Sequence, residues 1–299
     1  MDKNLLKYIL LVLLGAASYG TLATIVKLAY RDGYTVNDVL LSQYILGTLV
    51  MLFLYFLVKK AGHTENVQSS RKNKWLLVLG GSTYGMTGYF YYLSLQYIPV
   101  SVAVVLLMQT VWMGVVAESI QHRKLPSGIK VAAIIVILLG TIFATNAIAE
   151  LRHLNTKGVF WGLCAASAYT VALYISKNNK SKLGSISKSL MILVGSTIFI
   201  LFIGLFTINK PLNVSIFWKW GLFLALFGAI LPPILLNKGM PKLGIGLGAL
   251  LISIEIPVSL LMAEFILNEK HDLYQWVGVI FILLSIFLIN YPRPKTIRS

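Results

Sequence analysis

A carboxylate in the middle of an apolar stretch is the group best placed to do chemistry in this sequence. Glu255 stands in Leu251-Ile252-Ser253-Ile254-Glu255-Ile256-Pro257, about midway along an apolar run over 245–266. An ionisable side chain at the centre of a bilayer costs at least about 2.5–3.5 kcal/mol on insertion scales, so it faces a cavity or a partner rather than lipid. Two roles fit it. One is a transport-path carboxylate that attracts a cation or carries a proton; the other is a hydrogen-bonded tie between helices beside Pro257. Ser259, four residues on, shares its helical face. A similar stretch, Leu106-Leu107-Met108-Gln109-Thr110-Val111, places Gln109 at an offset of 146 from Glu255, with Trp112 three residues further on the same face.

Aromatic residues supply a second set. Tyr84, Tyr89, Tyr91 and Tyr92 lie within one apolar stretch among Gly80, Gly81, Gly85 and Gly88. A tyrosine at mid-span can hold a cation over its ring or a carboxylate through its hydroxyl; aromatic packing is the alternative. Tyr89 and Tyr92 are predicted to share a face with Gln96. Tyr19 and Tyr169 occupy the first and sixth stretches, near Ser18 and Ser167. The predicted substrate-binding set is therefore Glu255, Gln109, Trp112, Tyr89, Tyr92, Tyr19, Tyr169 and Ser259. Pro257, Pro232 and Pro233 are the predicted kink or gating positions, because proline removes a backbone donor and crowds the carbonyl four residues earlier. Gly81 and Gly85, at four-residue spacing, predict a close helix crossing.

Other chemistries find no support. His63, His122, His153 and His271 are scattered over four loops, each read as a solvated loop residue, and Cys164 is the only cysteine. No Ser-His-Asp, Cys-His or Walker-type grouping occurs, so neither catalysis, a metal nor a cofactor is expected. Gly244-x-Gly246-x-Gly248 follows no strand and is read as helix packing.

The elements that must position these residues follow from composition. The chain is 57% apolar and 12% charged, outside soluble usage. A membrane helix needs about 20 mostly apolar residues, and spans are predicted near 6–27, 36–58, 75–97, 100–118, 128–145, 157–177, 187–207, 218–237, 245–266 and 273–291. The spans repeat. Beside the Gln109 and Glu255 stretches, Lys74-Trp75 precedes the third span as Lys219-Trp220 precedes the eighth. An odd number of spans per copy forces the second copy to enter the membrane upside down. The expected fold is thus an all-α integral membrane protein of ten transmembrane helices, as two inverted five-helix repeats over 1–148 and 149–299. Inverted repeats of this kind build two alternating doors around one site.

The net charge of +16 does not signal nucleic acid, because no basic reading helix exists. With the N-terminus in the cytosol, 19 of the 26 Lys and Arg fall on the cytosolic side. That distribution predicts a multi-pass protein of the cell membrane with both termini cytosolic. Its expected partners are a small-molecule substrate and the lipid bilayer, with a homodimer allowed. Lys3, Lys7 and Ala16-Ala17-Ser18 mimic a signal peptide, but the apolar run continues to Val26 and reads as the first span.

These residues carry a resemblance. Tyr19-Gly20 with Lys27, the segment from Tyr91 to Ala103, and Glu255-Ile256-Pro257 followed by Leu267-Asn268-Glu269-Lys270 resemble the EamA-type permeases of the drug/metabolite transporter superfamily. Three positions depart from that pattern: Gln43 in place of an arginine, Tyr19 in place of a tryptophan, and His122-Arg123 in place of a Gly-Glu ending. The resemblance implies two inverted halves, a central cavity and export of small polar metabolites, often amino acids, with alternating access as the expected mechanism. A lone central carboxylate with aromatics favours an amino acid or amine. A lipid scramblase or flippase, or a membrane scaffold, is the alternative, and would require a polar groove facing lipid.

Overall fold

The computed structural model describes residues 3–60, 70–145, 155–179, 181, 183–208, 210–243, 248 and 251–290. Most of the long cytosolic link expected over 59–74, the connection between the halves, and Gly244 and Gly246 lie outside the described residues. Within them the protein is all helical. In chain order the helices are α1 (Lys3–Arg31), α2 (Val36–Lys60), α3 (Arg71–Leu95), α4 (Val100–Leu107), α5 (Thr110–His122), α6 (Gly128–Ala144), α7 (Thr156–Asn178), α8 (Ser185–Thr207), α9 (Phe217–Leu243), α10 (Glu255–Leu267) and α11 (Leu273–Asn290).

Six of these runs are long and apolar enough to cross a membrane: Leu5–Arg31, Val36–Lys60, Val100–Gln121, Thr156–Ser176, Ser185–Thr207 and Phe217–Leu243. Gly128–Ala144 and Leu273–Leu288 are apolar but shorter. Exposed Leu, Phe, Ile and Trp side chains are spread over the outer faces, as expected for helices bathed in hydrocarbon.

Helices at matching places in the two halves pack antiparallel to one another. Helix α2 lies antiparallel to α8: Asn37 near its start donates to the Thr207 carbonyl at 2.9 Å, and Thr48 a few turns on pairs with Thr197 at 2.7 Å. Helix α6 lies antiparallel to α11 in the same way, with Gln275 donating to the Ala144 carbonyl at 3.3 Å while Gly140 faces Gly278. Contacts between halves come in matched pairs, α3 on α7 as α9 on α1, and α10 on α1 as α4 and α5 on α7.

Helix α3 crosses α8 with its backbone almost touching. A Cβ on Gly81 would collide with the Ile192 carbonyl, and one on Gly195 with the Val78 carbonyl. Gly85 is also close, with a Cβ 2.8 Å from the Ser196 carbonyl. The closeness lets the Ser196 hydroxyl donate to the Gly81 carbonyl at 2.7 Å and the Ser82 hydroxyl to the Gly195 carbonyl at 3.2 Å. Small residues at such crossings supply the van der Waals contact that hydrophobicity cannot supply in lipid.

Two discontinuities shape the interior. The first lies at Met108-Gln109 between α4 and α5, and its mate at Ser253-Ile254 before α10. Both following helices end on a left-handed residue, Arg123 (φ 49°) and Asn268 (φ 58°). These matched landmarks stand 145 residues apart, so the structural mate of Glu255 is Thr110, not Gln109. Pro257 cannot be the whole cause of the break, because the first copy breaks in the same place without a proline. The second discontinuity is in α9. Pro232-Pro233 does not interrupt this helix as expected; the backbone instead widens into π-helical turns over Ala225–Ile230, immediately before the prolines. Widening accommodates carbonyls that lose their usual donors to proline.

At one end of the molecule the loops are tied by polar contacts. Asp38 accepts from the Thr35 backbone and hydroxyl, both at 2.8 Å, and from the Asn213 backbone at 3.0 Å. Tyr34 pairs with Ser215 at 2.7 Å. His271, expected to be solvated, has a side chain only 1% exposed, 3.5 Å from Glu264. Asp32 pairs with Lys219 at 3.0 Å and accepts from the Trp220 indole at 2.7 Å. The hydrogen bond from Lys219, then that from Trp220, holds the Asp32 carboxyl below the usual carboxylate range. A depressed pKa contributes stability above the unfolded value of about 3.9 and loses it as pH falls through the folded value. An Asp32→Asn variant is therefore expected to differ from the native chain in thermal stability at neutral pH and to converge with it below about pH 4. Melting curves across pH 3–7 check this, and the difference at neutral pH shrinks with added salt.

Candidate functional site

A cavity of 230 Å³ lies between the two halves. Helix α1 contributes Tyr19 and Leu22; α2, Gln43 and Tyr44; α3, Tyr84, Thr87, Gly88, Tyr91 and Tyr92. From the second half come Tyr169 and Ser176 of α7, Lys188, Ser189 and Ser196 of α8, Gly228, Pro233 and Asn237 of α9, and Glu255 at the first turn of α10. Glu255 is the acidic member of this lining and Lys188 the basic one.

Glycines make room for the polar side chains. A Cβ on Gly88 would lie 2.6 Å from the Tyr44 hydroxyl, and one on Gly228 2.5 Å from Gln43 Nε2. The Tyr92 hydroxyl donates to Gln43 Oε1, which leaves the Gln43 amide N–H groups on the cavity side beside Gly228. Gly20 lets α1 approach the Glu255 carbonyl, where a Cβ would sit 2.8 Å from the oxygen. The start of α10 is thereby pressed against α1, and the Glu255 carboxyl emerges beside Tyr19.

The cavity lining runs towards one end of the molecule. Its wall continues to Lys188 and Ser189 in the first turns of α8, Ser176 near the end of α7, and Asn237, which donates to Ser189 Oγ at 2.8 Å. We call this the basic end, because Lys3, Lys7, Lys59 and Lys60 occupy it as well. Towards the far end the path is filled. The Tyr30 hydroxyl donates to the Tyr92 carbonyl at 3.0 Å, and Ser259, one turn beyond Glu255, is 0% exposed.

Of the residues singled out from sequence, Glu255, Tyr19, Tyr92, Tyr169 and Pro233 meet in this cavity. Gln109 and Trp112 do not. Gln109 is buried against α6, where its amide donates to the Val105 carbonyl at 3.0 Å and to Thr141 Oγ1 at 2.6 Å, and accepts from the Trp112 indole at 2.9 Å. It satisfies a carbonyl left over at the α4–α5 break. The one-residue shift in register explains the difference: a turn of about 100° moves a side chain from one face to the next. Tyr89 lines a separate far-end cleft with Thr35, Asn37 and Gln96. The cavity stripe on α3 is 84, 87, 88, 91 and 92, not the stripe through 89 and 96. Ser259 shares the face of Glu255 but lies below the cavity floor. Pro232 is buried in packing, and Pro257 lies within the first turn of α10 outside the lining. Sequence reasoning missed Tyr44, Lys188, Ser189 and Asn237 as lining. Gln43 is legible in the sequence as a departure from the family pattern, and that is the available signal.

Apolar helices long enough to cross a membrane, packed around an internal cavity that carries a few polar side chains, describe a multi-pass membrane protein. The sequence profile of the EamA-like transporter family matches residues 6–146 and again 156–291, and the chain belongs to that family, within the drug/metabolite transporter superfamily. A solved structure titled only "Crystal structure of protein" superposes with a TM-score of 0.65 at 14% identity, over 93% of this chain and 96% of that one. It shows a shared fold. No curated protein matches the sequence.

Proposed function

We propose that the protein is a secondary transporter that exports a small polar metabolite, an amino acid or amine, by alternating access around the cavity at Glu255. The observation that carries this reading is the cavity itself. A single carboxylate stands at its inner limit among Tyr19, Tyr91, Tyr92 and Tyr169, with the path continuous to the basic end and closed beyond. A carboxylate flanked by aromatic faces suits an ammonium group, and the Gln43 amide suits a carbonyl or carboxylate. Ten spans in repeats over 1–148 and 149–299 complete the arrangement. The excess of Lys and Arg at the basic end orients that end and both termini to the cytosol of a cell membrane. The export direction rests on the family resemblance. A lipid-translocating groove would place polar residues towards lipid, whereas these side chains are turned inward.

The test is counterflow in proteoliposomes against amino acids, amines, sugars and nucleosides. Saturable exchange of amino acids or amines is expected. Exchange of sugars or nucleosides alone would overturn the substrate class, and movement of fluorescent lipid with no solute exchange would overturn the transport reading in favour of a scramblase.

A further inference from the structure

Resting on the transport reading above, we propose that Glu269 is the positioning residue of a one-sided latch that holds the far end of the path shut. Glu269 belongs to the second half, just beyond the left-handed Asn268 that ends α10, and its backbone N–H closes that turn on the Ala263 carbonyl at 3.1 Å. Its carboxylate crosses to the first half. Oε1 accepts from the Val100 N–H at 3.0 Å, and Oε2 from the Ser101 N–H and hydroxyl, both at 3.4 Å. These are orphan donors at the start of α4, where Pro99 provides no side-chain cap. A carboxylate there gains from both the free N–H groups and the helix dipole. Beside it Arg31 of α1 donates to the Leu267 carbonyl, in the last turn of α10, at 2.9 Å. Both links join the first half to the far end of α10.

The repeat shows why the latch is one-sided. The residue after the left-handed helix end is Glu269 in the second half and Lys124 in the first. A lysine ammonium has no lone pair with which to accept from a helix N-terminus. At this position, then, the second half carries an acceptor and the first half does not. The end that has it is closed, and the end that lacks it is where the cavity opens.

What the latch covers also points to a second, open arrangement. Between Glu255 and Glu269, the hydroxyls of Thr24 on α1 and Ser259 on α10 are buried at 0% exposure without a hydrogen-bond partner. Buried hydroxyls of this kind are costly. Water reaches them when α10 swings away from α1, so they mark the closed half of the path.

The test uses purified full-length protein with Cys164→Ser, carrying either Ser259→Cys below the cavity floor or Asn237→Cys at the mouth, and reads the rate of maleimide labelling. With Glu269 intact, labelling at 259 is slow and at 237 fast. Glu269→Gln is expected to raise the rate at 259 about tenfold or more and to lower that at 237, as the population shifts towards the far-end-open state. Unchanged rates at 259 on Glu269→Gln would overturn the latch, as would a parallel rise at both positions, which signals loosening rather than a switch. Labelling requires no substrate, so absence of counterflow would overturn the transport reading while leaving this result to be judged alone.

Discussion

Replacing Glu255 by Gln is expected to lower substrate exchange by about 10–100-fold while the protein remains folded and in the membrane. The estimate comes from the worth of a hydrogen bond to a charged group, about 1.5–3 kcal/mol, at about 1.4 kcal/mol per factor of ten. Glutamine keeps the shape and the backbone contact with Gly20, so packing of α10 against α1 survives. What is lost is the ionisable carboxyl that the cavity presents beside Tyr19 and Tyr169. The measurement is initial-rate counterflow of wild type and variant at matched reconstitution, with size-exclusion behaviour as the folding control. Equal rates would make Glu255 a tie between helices, the other role open to a mid-span carboxylate.

The largest expected effect on stability lies at the α3–α8 crossing. Gly81→Val and Gly195→Val should each destabilise the fold by at least about 1–3 kcal/mol, the usual range for overpacking. In each case the new Cβ meets a backbone carbonyl, of Ile192 or Val78, that no rotamer change can move. The helices must separate, and the hydrogen bonds from Ser82 and Ser196 to glycine carbonyls go with them. Melting in detergent should fall by at least about 2–5 °C. Gly114→Val is the control, since nothing lies within 4 Å of a Cβ at Gly114. A Gly195→Val protein as stable as the Gly114→Val protein would refute the close crossing.

Parts of this site could be read from the sequence because they violate the rule for apolar spans. Glu255 stands out as a charge where charge is expensive, and Tyr19, Tyr92 and Tyr169 as polar tips away from the interface belts. The two-copy organisation is legible because the Gln109 and Glu255 stretches repeat, and the family profile likewise matches the chain twice. Rotation of a helix about its axis is a tertiary property, and there the sequence reading failed. An offset of 146 rather than 145 points Gln109 at the cavity instead of at Thr141, and helical spacing alone runs the α3 stripe through Tyr89 instead of through Tyr84 and Tyr91. Lys188 and Asn237 look like ordinary helix-end residues until the cavity is seen to open at their end. That asymmetry depends on Glu269 contacting Val100 and Ser101, a pairing across 169 and 168 residues that no local pattern reveals.

The central claim, that the cavity at Glu255 is the transport path, is tested most directly by substrate protection. Thr87, which lines the cavity on α3, is replaced by cysteine in a Cys164→Ser protein, and maleimide labelling is followed as the transported compound is added. The account predicts that labelling slows saturably, with half-protection at the concentration that half-saturates counterflow. Labelling at Thr87→Cys that is indifferent to a compound the protein demonstrably exchanges would place the path elsewhere and contradict the account.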